Sequence, residues 1–161
     1  MILLITGDRE WKDLSLIQET LKFYPDTTTI IQGGCKGADD LSRIAARRLG
    51  IKPITYMADW NTQGLAGGIL RNQQMLDEGK PDLVLAFHDD IVNSKGTRDM
   101  IIRANISVVE VHLICHEEEL KFDRAGGTVL CEICNKTFSR HPNNIRFTWL
   151  KQLCDGRLVK L

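Results

Sequence analysis

The sequence predicts an α/β Rossmann-like fold, a doubly wound parallel sheet followed by a small C-terminal zinc-binding module, and three observations predict it. Short β-rich apolar runs alternate with amphipathic stretches through the first 111 residues. Glycine-rich turns sit where those runs hand over to helices. After Val111 the alternation stops, and a Cys-x-x-Cys pair appears in a tail of different composition.

The runs Ile2–Thr6, Thr28–Ile31, Pro53–Met57, Leu83–Phe87 and Ser107–Val111 read as strands. Between them Ala38–Leu49 is the clearest helix, with Leu41, Ile44, Ala45, Arg48 and Leu49 at helical spacing and Gly50 as the stop. A second helix is expected over about 66–78, ended by Gly79-Lys80-Pro81, and a third from Gly96 through Ala104. Strands joined by crossover helices form a parallel sheet, whose ligands bind outside the carboxyl ends of the strands. Gly7-Asp8-Arg9, Gly33–Asp39 and Ser94–Thr97 are all placed at that edge.

Of the 161 residues, 43% are hydrophobic and 26% charged, which excludes disordered and collagen-like classes. Lys+Arg and Asp+Glu both number 21, so no global basic field points to nucleic acid. The tail is the exception: from Asn135 to Leu161 six Lys/Arg face a single acid, Asp155, interleaved with Phe138, Phe147 and Trp149. A nucleic-acid contact through the tail is the less favoured reading, and a solvated face over a small aromatic core the favoured one. The apolar start Met1–Ile5 is too short for a signal segment, no stretch reaches membrane-spanning length, and the cysteine usage suits a reducing compartment. A cytoplasmic protein without membrane partners is expected.

Glycine-rich strand-to-helix turns suit phosphate, because the first helical amides point outward with the positive end of the helix dipole behind them. The first such turn is Gly33-Gly34-Cys35-Lys36-Gly37-Ala38-Asp39; the second is Ser94-Lys95-Gly96-Thr97, whose hydroxyls and ammonium add further donors. A serine helix cap is the alternative for the second turn. Asp8 and Arg9 follow the first strand, where a carboxylate accepts from a ribose hydroxyl and a guanidinium forks onto phosphate. Arg71 and Met75 share a helix face, with Asn72 beside them, and Trp60 and Trp11 are candidates for base stacking or for packing.

The set Thr6-Gly7-Asp8-Arg9-x-Trp11, Gly33-Gly34-Cys35-x-Gly37-Ala38-Asp39, Ala58-Asp59-Trp60 with Arg71-Asn72-x-x-Met75, and Ala86-Phe87 through Ser94-Lys95-Gly96-Thr97 resembles the YspA-like branch of the SLOG superfamily. The resemblance spans residues 1–111 and implies a nucleotide or nucleotide-derived ligand, no redox cofactor, and a homodimer with sites shared between subunits. It also brings the Lonely Guy phosphoribohydrolases into view, which pair an arginine of an Arg-x-x-x-Met helix with a glutamate three residues after the threonine of a Gly-Gly-x-Gly-Thr motif. Arg71 fits the first; at the second, the glycine pair is missing and Met100 stands in the glutamate position, with Asp99 one residue earlier. Arg71 and Asp99 are thus the candidate catalytic pair, and Asp8, Asp39 and Asp90 the other carboxylates. The expected function is a sensor or sequestering protein for a nucleotide, with an N-glycosidic hydrolase as the alternative.

In the tail, Cys131-Glu132-Ile133-Cys134 lets two thiolates meet one ion from a single turn. A closed structural site needs four ligands, so His141 and Cys154 complete the expected zinc set, with Cys115 and His116 as the reserve pair. A helix is expected near 144–153, and the module is assigned residues 112–161.

Overall fold

The computed structural model describes residues 1–116 and, beyond them, the backbone of strands 129–130, 137–138, 147–150 and 159–160. Five parallel strands, β1 (Ile2–Gly7), β2 (Thr29–Gln32), β3 (Lys52–Thr55), β4 (Leu83–Phe87) and β5 (Glu110–Ile114), are ordered β3-β2-β1-β4-β5. The chain steps outward from β1 through β2 to β3, then returns to place β4 on the other side of β1. The topological switch point therefore lies between β1 and β4, whose registers pair Leu3 with Leu83 through Gly7 with Phe87.

Helices cover both faces, as an all-parallel sheet requires. On one face α1 (Leu14–Leu21) and α2 (Ala38–Arg48) pack against Leu3, Ile5, Ile30, Leu85 and Phe87; on the other, α4 (Gly67–Asp77) and α5 (Gly96–Ile106) cover Leu4, Ile31, Val84, Ala86 and Leu113. The alternation Leu3/Leu4/Ile5 between the two cores is the period-two signature of a strand buried on both sides. All five residues of β4 are buried, consistent with its central place. A one-turn helix, α3 (Trp60–Gln63), and a 3-10 turn lead into α4.

Local chemistry explains the ends. Asp13 caps α1, its Oδ1 accepting from Leu16 N at 2.8 Å. In α2, Asp39 and Asp40 lie in the first turn and Arg47 and Arg48 in the last, each complementing the helix dipole. No helix among the described residues is long and apolar enough to cross a membrane.

Two expectations are corrected. β5 runs Glu110–Ile114 rather than Ser107–Val111, because α5 continues to Ile106 and Val108 turns the chain at φ 59° before the strand starts. The boundary placed at 111 therefore falls inside a strand. The helix expected near 144–153 is instead β8 (Phe147–Leu150), which pairs antiparallel with β5, Ile114 opposite Phe147 through Val111 opposite Leu150. Its Phe-Thr-Trp-Leu sequence is aromatic and β-branched, the composition that suits a pleated edge. The remaining short strands, β6 (Val129–Leu130), β7 (Thr137–Phe138) and β9 (Val159–Lys160), form a small antiparallel sheet ordered β7-β6-β9.

Candidate functional site

The loops after β1, β2 and β4 and the start of α4 supply the residues singled out in the sequence. Gly7 lets β1 end in close contact: a Cβ there would overlap the Phe87 carbonyl and the Ala38 side chain. Asp8 N then donates to Phe87 O at 2.9 Å, and Asp8 O accepts from Ala38 N at 3.0 Å and Trp11 N at 3.3 Å. The backbone of Asp8 thereby fastens β1, β4 and the start of α2 together. Arg9 is exposed.

The Gly33–Asp39 turn is closed on itself. Gly34 N donates to the Gln32 side chain, and Cys35 N donates to Asp39 Oδ2 at 3.2 Å. With Ala38 N bonded to Asp8, three amides that the sequence offered to phosphate already have acceptors within the chain. Asp39, buried at 6% exposure, occupies the anion nest. Desolvation pushes its carboxyl up to about 6, against the opposing effects of the Cys35 amide, the Arg71 charge, the Gly33 amide and the Arg9 charge.

Arg71, on α4, is nearly buried rather than solvated. Its Nη1 donates to Gly33 O and, at 3.4 Å, to Tyr56 O, while Nη2 lies 3.8 Å from Cys35 Sγ. Gly33 is glycine because a Cβ would collide with this guanidinium. The arginine buttresses the glycine turn, and its Nε has no hydrogen-bond partner among the described residues.

The turn after β4 is arranged differently. Ser94 has extended backbone and its Oγ accepts from Thr97 N at 3.2 Å, bonding an amide in the first turn of α5. Thr97 is buried, Lys95 is exposed, and among the described residues nothing lies within 4 Å of a Cβ added at Gly96. Asn72 Nδ2 donates to Gly96 O at 3.3 Å and to Asp99 Oδ2 at 2.9 Å, tying α4 to the turn.

Asp99 is engaged elsewhere. Its Oδ2 also accepts from Arg103 Nε at 2.9 Å, and Arg103 continues to Gln73 Oε1 at 2.8 Å. This carboxylate cross-links α4 and α5. Met100, at the position of the Lonely Guy glutamate, is fully buried in the core. Asp90 caps the 3-10 turn Ile91–Asn93, accepting from Asn93 N and Nδ2.

The tryptophans divide. Trp11 is core, edge-on to Phe87 at 5.7 Å and stacked on His116 at 4.5 Å. Trp60 is half exposed and lies over the first turn of α4, where a Cβ at Gly68 would sit 3.0 Å from its ring.

One constellation has no signature in the sequence. A cleft of about 580 Å³ is lined by Asp8, Glu10, Trp11, Lys12, Asp13, Asp89 and His116. It shares Asp8 with the loops above but includes neither Arg71 nor Ser94–Thr97. His116 Nδ1 lies 2.9 Å from Asp89 Oδ2 and its Nε2 3.4 Å from Asp13 Oδ2. Residues 13, 89 and 116 meet only because β1, β4 and β5 are neighbours.

Among the described residues no group of three or more His, Cys, Asp or Glu is arranged to hold a metal. The zinc set Cys131, Cys134, His141 and Cys154 and the basic side chains of the tail lie outside the described residues.

The model of the YspA, cpYpsA-related SLOG family matches residues 1–62, which carry the first two loops. The chain is 32% identical over 117 residues to the Gene 61 protein of Mycobacterium phage D29, covering 67% of this chain and 91% of that one. This chain belongs to the YspA, cpYpsA-related SLOG family. Among its SLOG features, the glycine turn after β2 and the Asp8–Arg9 loop fall within the matched residues, whereas Arg71 and the α5 turn lie beyond them. No solved structure matches the chain.

Proposed function

We propose that this SLOG protein binds a nucleotide or nucleotide-derived molecule and acts as its sensor or sequestering protein. The observation that carries the reading is the switch point: the loop after β1, with Asp8 and Arg9, and the loop after β4, with Ser94–Thr97, flank the crevice where doubly wound sheets take their ligands. The phosphate is assigned to the α5 turn. Thr97 N is held by the Ser94 hydroxyl, but the turn heads an eleven-residue helix, nothing among the described residues lies within 4 Å of a Cβ added at Gly96, and Lys95 stands beside it. The Gly33–Asp39 turn, holding its own carboxylate, is assigned to the sugar side instead, where Asp39 and Asp8 accept from hydroxyls and exposed Arg9 supplies charge. Trp60 is proposed to flank the base.

The test is a titration of the protein with a nucleoside monophosphate, followed by amide chemical shifts. Shifts centred on Gly96, Thr97 and Arg98 are expected. Shifts confined to residues 33–39, or none at either loop, would overturn the assignment.

A second reading, an N-glycosidic hydrolase, is favoured by one observation: a buried carboxyl near pH 6 beside the Arg71 guanidinium. N-glycosidic cleavage develops a cationic sugar and needs a carboxylate to orient water. In that case Asp39 fills the role rather than Asp99, whose oxygen is shared by Asn72 and Arg103. Release of free base abolished by Asp39→Asn and retained by Asp99→Asn would establish it. For the tail, we propose structural zinc held by Cys131, Cys134, His141 and Cys154.

A further inference from the structure

We propose that His116 is a proton-operated latch on the Asp8–Asp13 loop, closed when the imidazole carries both protons and loosened when it loses one. The imidazole ring faces two carboxylates. Asp89 approaches Nδ1 at 2.9 Å and Asp13 approaches Nε2 at 3.4 Å, from opposite edges of the ring. Ionised carboxylates only accept, and a neutral imidazole has one N–H. One tautomer can therefore serve only one of them. With Nδ1–H given to Asp89, the bare Nε2 lone pair faces the Asp13 carboxylate; imidazolium alone satisfies both.

The rest of the cluster fixes which side lets go. His116 N also donates to Asp89 Oδ1 at 2.7 Å, so the ring stays on Asp89 through two bonds in either state. Asp13 Oδ1 is committed to the α1 cap, through Leu16 N and Ser15 Oγ at 2.6 Å, leaving Oδ2 for the histidine. The contact that depends on the second proton is His116–Asp13, and it bridges the end of β5 to the loop carrying Asp8 and Arg9. Trp11 registers the change, since its ring stacks on His116 and its Nε1 donates to Asp13 O at 3.1 Å.

The surrounding charges act in the same sense. Asp8, Asp13 and Asp89 line the cleft against Lys12, while Glu10, also on its wall, is paired with Lys36; the carboxylates still outnumber the cations, so the field favours imidazolium. His88, next to Asp89, does not compete: its Nδ1 accepts from Asp90 N, and burial holds its pKa below the usual value despite Asp8, Asp90 and Asp89. For His116, burial pulls the pKa down, but the bonds and charges of Asp89 and then Asp13 outweigh it and leave the group above 6.5.

Side-chain NMR of the full chain tests this. The His116 ring resonances are followed against pH together with the Trp11 indole cross-peak and the heteronuclear NOE of residues 9–13. The expected result is a His116 midpoint above 6.5, a Trp11 cross-peak moving with that midpoint, and lower NOE values above it. Asp13→Asn, which preserves an N-cap, should lower the midpoint, and His116→Gln should leave the Trp11 cross-peak unresponsive to pH. A wild-type midpoint at or below 6.5, or a Trp11 cross-peak and loop NOE that do not follow it, would overturn the latch.

Discussion

Asp39 shows at the scale of one residue how this site departs from a simple phosphate cradle. Burial pushes its carboxyl up to about 6, above the ordinary 3.8, so the folded chain holds the proton more tightly than the unfolded chain. The stabilisation from protonated Asp39 is present below about pH 4 and lost as pH rises through about 6. At neutral pH the ionised group costs about 3 kcal/mol, taking 1.36 kcal/mol per unit. Asp39→Asn keeps an acceptor for Cys35 N and sheds the charge; it should raise stability by roughly 1–3 kcal/mol at pH 7.5 and flatten the pH dependence, read by urea unfolding at pH 4 and 7.5. Gly37 makes the complementary prediction. Its φ of 76° with ψ of −129° suits glycine alone, and a Cβ would overlap the Asp8 and Arg9 carbonyls. Gly37→Ala should cost at least about 2 kcal/mol in the same assay. The glycines were legible in the sequence because close approach and positive φ have a residue signature. The carboxylate filling the nest was not, since any Asp in a first helical turn reads as a dipole complement. The His116–Asp89–Asp13 cluster was invisible for a different reason: no spacing rule links residues 13, 89 and 116.

Individual elements were legible in proportion to how much local chemistry marks their ends. The helix starting at Ala38, with glycine before it and glycine after it, was read to within a residue of its observed end at Arg48. α5 was read two residues short because its stop is a valine. Val108 sits at φ 59°, where a β-branched side chain is disfavoured, and it is 92% exposed, so no packing compensates. Val108→Gly should therefore raise stability by roughly 0.5–1 kcal/mol, visible as an increased Tm. The helix expected near 144–153 failed on period: Phe147-Thr148-Trp149-Leu150 pairs with β5, and cross-strand partners decide such a segment more than its flanking polar residues do. Between α4 and α5, the chain Gln73–Arg103–Asp99–Asn72–Gly96 gives the candidate carboxylate Asp99 a cross-linking role that its position in the sequence does not reveal.

Across the whole molecule, the strand and helix order was legible because a parallel sheet writes itself as apolar runs separated by crossovers, and strand order β3-β2-β1-β4-β5 puts every candidate loop at one edge. The tail carries its own prediction: purified protein should hold one zinc per chain, and Cys131→Ser with Cys134→Ser should lose it, as measured by elemental mass spectrometry. Family membership makes nucleotide chemistry the expected class of ligand. The most direct test of that claim is mass spectrometry of the purified protein challenged with nucleoside monophosphates, cyclic nucleotides and ADP-ribose derivatives, recording retained ligand and released base together. The account predicts one intact compound retained at stoichiometric level and displaced when the α5 turn is altered by Thr97→Ala. The absence of both a retained compound and a released base across that panel would contradict nucleotide binding.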